Sequence, residues 1–498
     1  MLAKYKRQPV RKVDRVSCWL LLILFCLTLS GCRFGGQVDQ RAPTPGVIPV
    51  PTFTATPVLA ATSTAMRDSV TPQAVTLYQK MAYVRQEQLI ITTYPQGEIY
   101  VADQCAQNEQ PCSFSHLAWS PTSRHLAYFK SFFTPEGANT GLYVLDEENQ
   151  SHPVTTTTQP MLDFSPAWSP DGRSLAYIVG SMNIVQLPET AVSSTTGISS
   201  GNLVQLSDVW VSHFPFTDPG VRSGSIQVFT GFGGYSLTES EALYGQEGLS
   251  SGPVGPGLQL HWLPTDRLLF TRSPLRVGIG QFDLHSGQEL APLDSNELRQ
   301  FAIHPLGQQL AAWTWDGQIT VGNTDGTMRM THPIPGVTDP RLTSPITGSV
   351  SAGAVFWGPT SGRLYFTTRT FGGSLAIDAA HYLALYPDLP LFGPIPSAFD
   401  VYHSALFAVN DDDFAQLQPL LASADYGYGS LTEAANGDIL FVRIENGIPL
   451  LEAINAQLPP AEVMKHVPQA SIMRLVAGGG KLEIVVENAG QLALASVQ

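Results

Sequence analysis

The sequence predicts an all-β fold, a β-propeller of seven or eight four-stranded blades, or six if its irregular stretches are insertions. Three observations predict it. A ten-residue motif recurs along the chain, with its two best copies 49 residues apart. The texture between copies is short β-type runs punctuated by Gly, Pro, Asp and Asn. No stretch sustains a 3.6-residue amphipathic period over several turns, so helix content should be low. A unit of several short strands every 40–50 residues buries its apolar face only against its neighbours, which is the logic of a propeller blade.

The chain divides into three parts: 1–31, 32–76 and 77–498. The first reads as a signal peptide. Lys4, Lys6, Arg7, Arg11, Lys12 and Arg15 make a basic segment relieved only by Asp14, and an apolar run from Trp19 to Leu29 follows. That run is shorter than the roughly 18 apolar residues a membrane helix needs. It ends in Leu29-Ser30-Gly31-Cys32, which resembles the lipobox of bacterial lipoproteins. The resemblance implies cleavage before Cys32 and a diacylglycerol on its thiol, hence lipid anchoring to the bacterial cell membrane, facing the periplasm or the exterior. Each buried CH₂ of such an anchor contributes about 0.8 kcal/mol. An ordinary cleaved signal peptide, or an uncleaved anchor with an incidental cysteine, is the plainer alternative.

Residues 32–76 read as a tether. The run Arg41 to Pro51 places prolines at 43, 45, 49 and 51, and a Thr- and Ala-rich stretch leads on to Pro72. Prolines deny it helix and sheet ladders, and its sparse apolar content cannot build a core. Between coil and polyproline limits it spans roughly 35–120 Å.

Within 77–498, Trp119-Ser-Pro-Thr-Ser-Arg-His-Leu-Ala-Tyr128 and Trp168-Ser-Pro-Asp-Gly-Arg-Ser-Leu-Ala-Tyr177 agree at seven of ten positions. Looser copies start at Trp262, Ile303, Trp357 and Glu433, giving spacings of 49, 94, 41, 54 and 76 residues. The 94-residue interval is about two periods, which a degenerate copy around Phe214–Phe229 would fill. In the fuller copies an aromatic ends one strand, a Pro-Asp-Gly-type segment reverses the chain, and Leu-Ala-Tyr opens the next strand; the Glu433 copy keeps only the turn and the strand. The string from Trp168 to Tyr177 closely resembles the repeat of TolB-like β-propellers. The resemblance covers 78–498, most strongly 115–180 and 260–370. It implies the fold and an extracytoplasmic binding platform. The tether replaces the α/β domain that precedes the TolB propeller, so no partner or binding residue is carried over. Lys80–Arg85 lacks the preceding turn, and is expected to complete the last blade near Lys481–Val486 and close the ring.

Composition narrows the function. The full chain carries a net charge of −14; without residues 1–31 its 27 Lys and Arg fall to 21 and its 41 Asp and Glu to 40, a net of −19. That sign argues against nucleic acid and against electrostatic docking on anionic lipid. After residue 31 the cysteines are Cys32, Cys105 and Cys112, and the last two, outside the cytoplasm, read as a disulfide rather than a metal site. No zinc spacing, H-E-x-x-H or phosphate loop is present, so no metal and no cofactor is expected.

The candidate chemistry is thin, and no catalytic residue is assigned. Gly197–Gly201 and Gly248–Gly252 match G-x-S-x-G but lie in Ser- and Gly-rich stretches without the strand and helix a nucleophile elbow needs. Asp411-Asp412-Asp413 lacks the alternating ligands of a calcium loop and reads as a solvated turn. His304 takes the Ser position of its repeat and reads as a turn residue. Trp119, Trp168, Trp262 and Trp357 read as packing between blades. The Gly-, Ser- and Tyr-rich stretch 231–257 and the insertion 333–354 are the better leads to a recognition surface. The reading is therefore a non-catalytic scaffold displaying a propeller to an envelope protein or extracellular ligand. The alternatives are a propeller enzyme of the glycan lyase or hydrolase type, and a carbohydrate or solute receptor.

Overall fold

The repeat's turn sets the geometry from which the ring grows. In the best copy Ser169 N–H donates to the Ser174 carbonyl (2.8 Å) and Gly172 N–H to the Ser169 carbonyl (2.9 Å). Ser169 Oγ accepts from Ser174 N–H and donates to Asp171, whose carboxylate also takes the Arg173 N–H. Gly172 sits at φ +69°, in the left-handed region where glycine is at no steric disadvantage. Ser123, Asp266, Gly307, Gly362 and Gly437 hold the corresponding positive φ in the other copies. The Pro-Asp-Gly signature is thus a backbone requirement.

The computed structural model describes residues 78–496, apart from connections of which the longest are 157–165, 187–202, 214–224, 237–258, 335–349 and 377–397; the others run to seven residues or fewer. Its strands form seven four-stranded antiparallel sheets. Blade 2 holds β4 (Cys112–Trp119), β5 (Leu126–Thr134), β6 (Gly137–Leu145) and β7 (Ser151–Thr156). Blade 3 holds β8 (Ala167–Trp168), β9 (Ser174–Gln186), β10 (Leu203–His213) and β11 (Ser225–Ser236). Blade 4 holds β12 (Leu260–Trp262), β13 (Arg267–Thr271), β14 (Ile279–Asp283) and β15 (Gln288–Leu290). Blade 5 holds β16 (Leu298–Ile303), β17 (Gln309–Thr314), β18 (Gln318–Asn323) and β19 (Met330–Pro333). Blade 6 holds β20 (Val350–Trp357), β21 (Leu364–Ala376), β22 (Ala398–Val409) and β23 (Pro419–Ser423). Blade 7 holds β24 (Tyr426–Glu433), β25 (Ile439–Glu445), β26 (Ala470–Leu475) and β27 (Leu482–Glu487).

Blade 1 is made from both ends of the chain. β28 (Ala489–Leu494) pairs with β1 (Gln79–Arg85), followed by β2 (Gln88–Tyr94) and β3 (Tyr100–Gln104). Contacts between neighbouring blades run mainly from first strand to first strand, β28 to β4, β4 to β8, β8 to β12, then β16 to β20, β20 to β24 and β24 back to β28. The first strands therefore surround the axis and the ring is closed.

Two expectations are corrected here. Lys80–Arg85 does pair with the C-terminal end, but with 489–494; residues 482–487 are the outer strand of blade 7. The C-terminal strand completes the first blade rather than the reverse. The interval from Trp168 to Trp262 is one blade, not two, because β9, β10 and β11 run to 13, 11 and 12 residues. The sequence near Phe229 is the outer strand of blade 3.

The core lies between blades. Ala167, Ala176, Ile178 and Val211 of blade 3 pack on Trp262, Leu268, Phe270 and Phe282 of blade 4. Trp313 of blade 5 meets Phe366 of blade 6 edge to face, with ring centroids 5.6 Å apart. Burying large aromatics on both faces of each sheet contributes on the order of 2 kcal/mol per side chain. One helical excursion escaped the sequence reading. α1 (Ile448–Asn455) and α2 (Pro460–Val463) join β25 to β26, with Leu450, Leu451 and Ile454 buried. An eight-residue helix is too short to show a period.

Candidate binding face

The two faces of the ring differ because strand direction sorts the connections. All first strands run toward the face carrying the repeat turns, so the first-to-second and third-to-fourth connections share that turn face. Second-to-third connections and links between blades share the other. Blade 3 and blade 6, three places apart in a ring of seven, extend their second and third strands toward that other face and lead there into 187–202 and 377–397. β11 and β19 end on that face, β12 and β20 begin there, and α1 and α2 lie there too. Asn455 Nδ2 of α1 donates to the Ala376 carbonyl at the far end of β21 (2.7 Å), bracing the long hairpin of blade 6 from blade 7.

Both ends of the described chain are on the turn face. Gln79 Nε2 donates to the Ala495 carbonyl (2.9 Å), Gln79 Oε1 accepts from Ala435 N–H (2.6 Å), and Ser123 Oγ donates to the Ser496 carbonyl (2.7 Å). The chain therefore joins the ring on the turn face, and its long connections leave from the opposite one.

Polar groups at the blade junctions are consumed by structure. Asp438, almost fully buried, accepts from Tyr94 Oη (2.6 Å), Asn436 Nδ2 (2.9 Å) and Ala477 N–H (2.9 Å). Burial and the Asp438 carboxylate push the Tyr94 hydroxyl up to about 12. Arg474 stands 3.8 Å from Asp438 and binds Glu483. Hydrogen bonds from Lys481 and Arg474 hold Glu483 down at about 2. On the other side of blade 1, Asp103 takes Lys130 Nζ (2.8 Å) and Tyr128 Oη (2.7 Å), and Tyr128 also meets Ser151 Oγ (2.6 Å). Burial, with Asp103 close by, raises the Tyr128 pKa, so that phenol is no general base. Lys130 lies over Phe114 and Phe132, which fixes it as a cation–π strut. These clusters lock blade 1 to blades 7 and 2.

The residues singled out in the sequence fall into place unevenly. Cys105 and Cys112 form a disulfide, Cα to Cα 5.6 Å, spanning the link from blade 1 to blade 2. His304 is a turn residue: its Nδ1 accepts from Leu306 N–H (3.2 Å) and its ring abuts Trp357 at 5.0 Å. Trp168, Trp262 and Trp357 are buried between blades and Trp119 partly so. Cys32, both G-x-S-x-G strings and Asp411–Asp413 lie outside the described residues, as do most of 231–257 and 333–354. Among the described residues no group of three His, Cys, Asp or Glu is placed to hold a metal, and no helix is long and apolar enough to cross a membrane.

Sequence reading missed Glu433. It ends β24 where other blades place tryptophan, is 2% exposed, and accepts from Thr360 N–H (2.8 Å) and Ser361 N–H (2.9 Å) of blade 6. The available signal was an acid at an aromatic position of the repeat.

Seven four-stranded sheets set in a closed ring define the molecule as a seven-bladed β-propeller. No protein-family model matches the chain, and no curated protein matches it. Among solved structures it is similar to the acylaminoacyl peptidase of Pyrococcus horikoshii, at 10% identity and a TM-score of 0.41 over 83% of this chain and 52% of that one. It is similar also to puromycin hydrolase, at 9% identity and a TM-score of 0.38, over 75% of this chain and 52% of the other. TolB from Acinetobacter baumannii matches at 14% identity and a TM-score of 0.20, over 51% of this chain and 63% of TolB. The chain spans about half the length of the two hydrolytic enzymes it matches, and the likeness concerns the fold alone.

Proposed function

We propose that this protein is a non-catalytic, lipid-anchored extracytoplasmic scaffold that captures a protein partner on the long-connection face of its propeller. The observation that carries the reading is the division of labour between the faces. Gln79, which opens the first described strand, stands on the turn face, while the extended hairpins of blades 3 and 6 project from the other. Long loops on a rigid frame are where recognition is usually placed. The acidic balance, net −19 after residue 31, favours partners with basic or neutral surfaces.

Two measurements test this. Metabolic labelling with a palmitate analogue should mark the wild type and not Cys32→Ser, and the variant should leave the membrane fraction; unchanged membrane association would remove the anchor from the reading. Site-specific photocrosslinking from 187–202 and 377–397 should give one discrete adduct, absent when crosslinkers stand on the turn face. Adducts of equal yield from both faces would overturn the assignment of the binding face.

A further inference from the structure

The outer rim of the ring carries apolar side chains that no neighbouring blade covers. Tyr78, Ile99, Tyr100 and Val101 of blade 1, with Leu482 and Ile484 of blade 7, are between 38% and 64% exposed. The two blades adjoin in the ring. Strand direction puts all six on the turn side, because every outer strand starts from that face. Tyr78 precedes β1 and Ile99 precedes β3; Tyr100 and Val101 open β3, Leu482 opens β27, and Ile484 is its third residue. The register shows which way the strand residues point. Tyr100 stands opposite Ile91, which packs toward blade 2, and Val101 opposite Ile90, which packs toward blade 7. Leu482 and Ile484 stand opposite Leu475 and Met473, which pack toward blade 6. These side chains belong to three different sheet faces, so they form a set of separate tips along a convex rim and do not line one groove.

We propose that the turn-side rim of blades 7 and 1 rests on a lipid bilayer, its six apolar side chains entering the boundary between the headgroups and acyl chains of neutral lipids. This rests on the anchor at Cys32 proposed above and adds an orientation to it: a ring lying on this rim turns its long-connection face away from the membrane. The described chain begins at Tyr78, inside the patch, and only residues 33–77 separate it from Cys32. With a lipid on Cys32, contact between the rim and the same bilayer becomes an intramolecular event, which lets a weak apolar surface be occupied. A rigid protein partner needs a shaped, close-packed core to its interface. A fluid boundary layer needs none, and tyrosine and aliphatic side chains are what it takes up.

Charge is distributed to match. Among the described residues, the exposed charges on the turn side of blades 7 and 1 are Lys80, Glu98 and Lys481. Two are lysines, whose long stems can cover apolar surface while their heads reach the phosphates. Across the ring, the turn side of blades 2, 3 and 4 exposes Glu147, Glu148, Asp171 and Asp266 against Arg124 and Arg173. The acidic side therefore stands away from the apolar rim, and the net charge of the chain favours neutral over anionic lipid. Leu306, Met330 and Leu420 are also exposed on the turn side, in blades 5 and 6. Asp411–Asp413, however, come in the chain between β22 and β23 of blade 6. Three acids are costly at an apolar boundary, so the contact extends no further than blade 7.

The test maps lipid contacts on the full chain, reconstituted in phosphatidylcholine vesicles that carry a lipid with a diazirine in its acyl chain. After illumination and digestion, peptides holding Tyr78 to Val101 and Leu482 to Ile484 should carry the lipid adduct, and peptides of blades 2 to 4 should not. The yield should not fall with added salt, because the contact is apolar. The double variant Tyr78→Asp and Ile99→Asp changes exposed residues outside the strands. It should lower labelling of the rim peptides roughly fivefold or more while melting as the wild type does. The proposal fails if the rim peptides are labelled no more than those of blades 2 to 4, or if the double variant is labelled as the wild type is. A dimer in detergent that the double variant dissolves would assign the rim to a second copy and overturn it too. Failure of the anchor gives a different pattern. A chain that takes up no palmitate analogue but is labelled at the rim loses the anchor and keeps the rim; one that takes up palmitate and stays unlabelled there keeps the anchor and loses the rim.

Discussion

Trp168 and Glu433 hold the same place in the repeat, the last residue of an inner strand set against the turn of the preceding blade. Trp168 fills that place with apolar surface, stacked on His125 at 6.0 Å, and its indole N–H donates to the Ala118 carbonyl (2.9 Å). Glu433 fills it with charge, taking two backbone N–H groups of the blade 6 turn. One junction is held by area removed from water. The other is held by charge-assisted hydrogen bonds that offset the desolvation of a carboxylate. A propeller thus needs its wedge filled, and tolerates opposite chemistries in filling it.

The largest expected effect opens the ring itself. Removing residues 489–496, or 79–85, leaves blade 1 without its paired inner strand and should abolish the cooperative melting transition in calorimetry; an unchanged melting temperature would disprove closure by strand exchange. Trp168→Ala should cost about 3–5 kcal/mol in chemical denaturation, through lost burial and the cavity left behind. Glu433→Ala should cost about 2–4 kcal/mol, because the N–H groups of Thr360 and Ser361 lose a charged acceptor. Glu433→Gln keeps an acceptor oxygen but loses the charge and should cost about half as much; a glutamine variant as stable as the wild type would mean that geometry, not charge, holds this junction.

The smallest effect is a pH dependence at the blade 3 turn. Hydrogen bonds from Ser169 and from Arg173 N–H hold the Asp171 carboxyl below the ordinary carboxylate range. A lowered folded pKa contributes stability that is complete above the unfolded value near 3.9 and lost as pH falls through the folded one. Stability of the wild type minus that of Asp171→Asn should therefore shrink below about pH 4. A difference that is flat from pH 7 to pH 2 would contradict this.

Much of the ring was legible because the repeat turn must have a left-handed residue and an aromatic before it. The left-handed residue marks all six copies, the aromatic four of them, and the copies head six of the seven blades. The seventh was hidden because its inner strand lies at Ala489–Leu494 and its remainder begins at Gln79, so no contiguous copy exists. Blade 3 was mistaken for two because lengthening β9 and β10 changes spacing without changing pattern. The site was less legible. Glu433 carried no sign of burial, and the bulges of β4, β24 and β28 interrupt the period-two alternation by which strands are read.

Closure by strand exchange also sets a schedule. Gln79 and Ala495, hydrogen-bonded in the finished ring, are 416 residues apart in the chain. At roughly 5–20 residues per second, synthesis separates the emergence of β1 from that of its partner by about 20–80 s. For that interval the first three strands of blade 1 exist with an open inner edge, and blade 2 presents Trp119 to an incomplete neighbour. An unpaired edge is a template for wrong pairing. The strand Ala489–Leu494 therefore acts as the clasp of the whole circle, and every blade made before it must wait, folded but ajar.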